Sequence, residues 1–87
     1  GENRWKAPVV TNEDRSRVPA IVEYEKKRHE TIERRFQYKE KLETLKSLPE
    51  GKRSNNWSVQ VAEANQNISN ADNEEIFYNF QIGESLK

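Results

Sequence analysis

The chain has 87 residues, of which 32% are hydrophobic and 34% charged, with 15 basic and 15 acidic side chains and no cysteine. That composition leaves room for one small unit with a thin core, and it excludes disulfides and cysteine-ligated zinc. No apolar run approaches the roughly 18 residues of a membrane span. The expected setting is therefore intracellular, in nucleus or cytoplasm, away from membranes, with a partner chain making up the deficit in core.

Zero net charge hides an uneven distribution. Residues 21–53 carry ten Lys/Arg and seven Asp/Glu, residues 54–87 carry one Lys and five Asp/Glu, and residues 1–20 carry four and three. A basic stretch thus precedes an acidic one. The two pair with each other or with separate partners.

Residues 1–15 read as an irregular arm punctuated by Pro8, with Trp5, Val9 and Val10 as its only large apolar groups. Trp5 is a candidate anchor on a partner, or packs on the chain's own helix. Residues 16–48 read as one long charged helix. Asp14 or Ser16 can cap its start, and Pro19 suits a first turn, where its missing N–H has no partner to lose. No Gly or Pro follows until Pro49, which disfavours helical geometry at Leu48 and stops the helix. Glu23 with Lys27, Glu25 with His29 and Glu30 with Arg34 are spaced as i,i+4 pairs.

The apolar stripe of this helix rotates. At about 100° per residue, with Ile32 at zero, Val18, Ile21, Val22 and Phe36 fall within about −20° to +80°, while Tyr24 and Leu42 fall near about −80°, Tyr38 near about −120° and Leu45 near about −140°. Leu48 lies further round still. The expectation is two opposed faces rather than a single heptad seam. One face, with Val18, Ile21, Ile32 and Phe36, would meet one partner. The other, with Tyr38, Leu42, Leu45 and Leu48, would meet a second surface or the chain's own following segment.

Residues 52–87 read as a strand–loop–strand segment and tail. Trp57, Val59 and Val61 alternate with polar or small residues, and Ile76, Tyr78, Phe80 and Ile82 share one face at period two. The Asn- and Glu-rich stretch between them reads as a long mobile loop. The fold class expected is α+β or mainly α: a long helix followed by a two-stranded β element, completed by a partner chain.

Chemistry is sparse. Catalysis needs a nucleophile beside a base, yet the chain offers a single histidine, His29, with nothing at helical spacing to form a triad. Three scattered glycines make no phosphate cradle, and no carboxylate cluster has calcium-loop spacing. No enzyme activity, cofactor, metal or small-molecule substrate is expected. The reading is a scaffold segment that tethers subunits of a larger assembly, with Trp57, Tyr78 and Phe80 as further aromatic contacts. The alternative is a nucleic-acid- or chromatin-associated module that grips phosphates through Lys26, Lys27, Arg28, Arg34 and Arg35. Interleaved acids Glu23, Glu30 and Glu33 weigh against a dedicated phosphate face.

Overall fold

The computed structural model describes residues 7–87. Its order is a short helix α1 (Asn12–Arg17), a long helix α2 (Pro19–Ser47), a single 3-10 turn (Glu50–Lys52) and a second long helix α3 (Trp57–Ser85). Helices α2 and α3 run antiparallel and form a hairpin, with α1 folded back on the first turns of α2.

Each boundary has a local cause. Thr11 caps α1: its hydroxyl accepts from the Asp14 N–H at 3.1 Å, and the Asp14 carboxylate accepts from the Thr11 N–H at 3.1 Å, a reciprocal capping box. Val18 breaks the helical path between α1 and α2, and Pro19 occupies the first position of α2, as its fixed φ allows. Helix α2 ends at Ser47 because Leu48, ahead of Pro49, is extended. The freed carbonyls at that end are satisfied from across the turn. Trp57 Nε1 donates to Leu45 O at 2.7 Å and Arg53 Nε donates to Leu48 O at 3.1 Å. The Arg53 guanidinium also lies 4.0 Å from the Trp57 ring centroid, a cation–π contact that ties the turn to α3.

The two-stranded β element is not present. Among the described residues there is no strand, and 57–85 form one helix. Period-two alternation at its two ends coincided with helical spacing. Trp57, Val61, Ala64, Ile68, Ala71, Glu75, Tyr78 and Ile82 recur every three or four residues, and all are buried or half-buried. The polar stretch between the apolar clusters carries Ala64, Ile68 and Ala71 on that same line. Asn is a poor helix former, but here packing on α2 overrides propensity, as it does for most helices.

The two expected faces of α2 are redrawn in part: Ile21 joins the line packed on α3, while Phe36 stays off it. Ile21, Tyr24, Arg28, Thr31, Arg35, Tyr38, Leu42 and Leu45 form an unbroken heptad line, each buried or half-buried. A straight helix drifts about 20° per heptad against such a line, and supercoiling absorbs the drift. The apparent rotation from Ile21 to Leu42 is that drift summed over three heptads. Polar Arg28, Thr31 and Arg35 in mid-line concealed its continuity.

The hydrophobic core is therefore split. Leu45, Ala64, Ala71, Ile21 and Ile82 are the buried apolar residues, and polar layers lie in the middle of the seam. Arg28 Nη1 donates to Asn79 Oδ1 at 2.8 Å, Arg34 Nη2 to Glu74 Oε2 at 2.8 Å, and Arg35 Nη1 to Asp72 Oδ1 at 2.9 Å and to Glu75 Oε1. The basic and acidic stretches thus pair with each other. No buried side-chain N or O among the described residues lacks a partner.

Candidate protein-docking face

Ile32 and Phe36 stand one helical turn apart on α2, beside the heptad line. With Glu33 and Gln37 they line a shallow groove of about 450 Å³. Phe36 is 63% exposed there, more than any other aromatic among the described residues. On the same side of the hairpin a smaller depression of about 270 Å³ is lined by Arg35, Asp72, Glu75, Ile76 and Asn79. On the other side, which also carries the exposed Phe77, a mainly polar depression is lined by Arg34, Tyr38, Asn67, Asn70, Ala71 and Glu74.

The N-terminal segment covers one end of the apolar side. Arg15 Nε and Nη2 grip the Glu25 carboxylate at 2.8 and 3.1 Å, and Pro8 lies against Gly83, whose Cβ, were it present, would sit 3.8 Å from Pro8 Cγ. The Arg15 bond holds the Glu25 carboxyl below its ordinary value and raises the Arg15 guanidinium. Hydrogen bonds from Thr11 likewise lower Asp14.

The expected contact residues divide between interior and surface. Trp5 lies outside the described residues. Ile21 is fully buried, and Val18 is half-buried at the break between α1 and α2. Tyr38, Leu42, Leu45 and Leu48 are buried or half-buried beside α3 and its turn, so the second expected surface is the chain's own third helix. Trp57 is committed to the turn, and Tyr78 packs inside, 6.5 Å from Tyr24 between ring centroids. Phe36 and Phe80 remain at the surface, Phe80 at 56% exposure, and Ile32 is half-buried beside Phe36. Val22, Val59 and Phe77, also exposed, were not among the residues singled out as contacts. The helical positions of Val59 and Phe77 become readable only once α3 is recognised as a helix; Val22 lies on α2, on the stripe that the sequence already shows. None of the three expected i,i+4 pairs forms: Glu25 is taken by Arg15, Arg34 by Glu74, and His29 pairs with Glu33 at 3.0 Å.

The basic residues are divided too. Arg28, Arg34 and Arg35 are engaged by Asn79, Glu74, Asp72 and Glu75, leaving Lys26 and Lys27 exposed. Among the described residues no group of His, Asp and Glu could hold a metal ion, and no helix is long and apolar enough to cross a membrane.

The chain matches no family model, and no curated protein or solved structure is significantly similar to it.

Proposed function

We propose that the chain is a non-catalytic helical hairpin that joins proteins within a larger assembly, docking through the Ile32–Phe36 face. The observation that carries this reading is the exposed Phe36 ring, one turn from Ile32, lining a shallow groove on α2. An aromatic presented in this way is the kind of side chain that dominates interface energetics once desolvated. Its rim of Glu33 and Gln37, with the His29–Glu33 pair alongside, is the polar border that such contacts have. Three of the five side chains considered for phosphate binding have intramolecular partners, so the protein-docking reading is preferred.

A photo-crosslinking amino acid tests the idea in cells that make the protein. Placed at Phe36 it should yield covalent protein adducts; placed at Gln66, exposed on the outer face of α3, it should not. Equal yields from the two positions, or none from Phe36, would rule the docking face out.

A further inference from the structure

The hairpin is one helical layer thick. It measures 57 × 24 × 15 Å with a radius of gyration of 17.2 Å, against about 12 Å for a compact chain of this length. Its accessible surface is 6492 Å², while a compact protein of 10.3 kDa exposes about 5,400 Å². The surplus of about 1,100 Å² exceeds the roughly 800 Å² that each partner gives to a standard interface. Stable folds pack one layer on another, and a second antiparallel hairpin is the layer that completes a four-helix bundle.

We propose that this layer is a second copy of the chain, seated on the Ile32–Phe36 side with α2 antiparallel to α2 about a two-fold axis at Phe36. The inference rests on the docking reading above and names its partner. The N-terminal segment sets the orientation. Held by Arg15 on Glu25 and Pro8 on Gly83, it fills the end of this side nearest the start of α2. Two copies clear each other only with those ends pointing in opposite directions.

Helical spacing then assigns the contacts, each made twice across the axis. Phe36 meets its own counterpart. His29 lies across from Glu43 of the second copy. Ile32 lies across from the Lys39 stem, whose ammonium reaches water at the edge. One like-charge approach results, Glu33 toward Glu40 at the solvent rim, where Glu33 already has His29 at 3.0 Å. Zero net charge leaves no global repulsion between copies.

Sedimentation across the micromolar range should show the mass rising from 10.3 kDa toward twice that value. Phe36→Glu should weaken self-association by on the order of tenfold or more with its helical circular dichroism intact. Phe77→Glu, on the other side of the hairpin, should still dimerise. Because the chain has no cysteine, Phe36→Cys offers an independent readout: it should crosslink to itself on mild oxidation, and Phe77→Cys should not. A wild type that stays monomeric, or a dimer indifferent to both Phe36 variants, overturns the proposal. If the monomer nevertheless gives adducts with a different protein from position 36, only the second copy is rejected and the docking face stands. Neither dimer nor adduct rejects both.

Discussion

Ile21 has no exposed surface, whereas Phe36, on the same helix and equally apolar, is mostly in water. Truncation should therefore separate them. Ile21→Ala should cost about 2–5 kcal/mol, the range for emptying a closed site, and a urea melt followed by circular dichroism would measure it. Phe36→Ala should leave stability almost unchanged, because little packing is lost. Trp57 tests a different contact. Trp57→Phe keeps a ring under Arg53 but removes the indole donor to Leu45 O, so a loss of about 1 kcal/mol is expected in the same melt. Sequence alone could rank these side chains by size and apolarity. It could not say which side of α2 they would face, because that depends on where α3 lies.

At the scale of the element, α2 was legible and α3 was not. The first has strong helix formers, a proline at each boundary and no internal breaker. The second spreads its apolar residues into two clusters, each short enough to mimic a strand, and fills the space between with Asn. A clue was the absence of Gly and Pro from Arg53 to Ile82, since turns of the kind a hairpin of strands needs favour those residues. The polar layers between the helices make a prediction of their own. Glu75→Leu alone should destabilise the hairpin, since Arg35 then keeps only Asp72. Arg35→Leu combined with Glu75→Leu should recover part of that loss, because it removes the half-buried Arg35 cation that Glu75→Leu alone leaves with fewer partners, and a thermal double-mutant cycle would show the sign. The small helix α1 behaves differently. Asp14 and Glu25 both titrate below their ordinary values of 3.8 and 4.5 in the folded chain. Their contribution is complete above those values. It falls as pH drops below them and is gone once pH passes the lowered folded values. Amide exchange in 12–17 should accelerate across that acid window before exchange in 21–45 does.

At the scale of the whole molecule, a long helix is present, but it begins at Pro19 after a break at Val18 rather than at residue 16, residues 12–17, which include the end of the expected irregular arm, form α1, and the expected β element is absent among the described residues. The reason is that charge distribution, visible in the sequence, was a statement about tertiary structure. A basic stretch and an acidic stretch of matching length are what two antiparallel helices need to align their middles, and Arg34–Glu74 with Arg35–Asp72 do so. The closed end at Leu45–Trp57 and the open end at Pro8–Gly83 lie at opposite extremes of a 57 Å rod. This arrangement has a mechanical consequence. A load pulling the N-terminal segment away from the end of α3 enters at one tip and peels the helices apart layer by layer, so each layer yields in turn at low force. A load applied between that tip and the turn acts along the seam and strains every layer at once. The same rod is soft to tugging at its open end and stiff along its length.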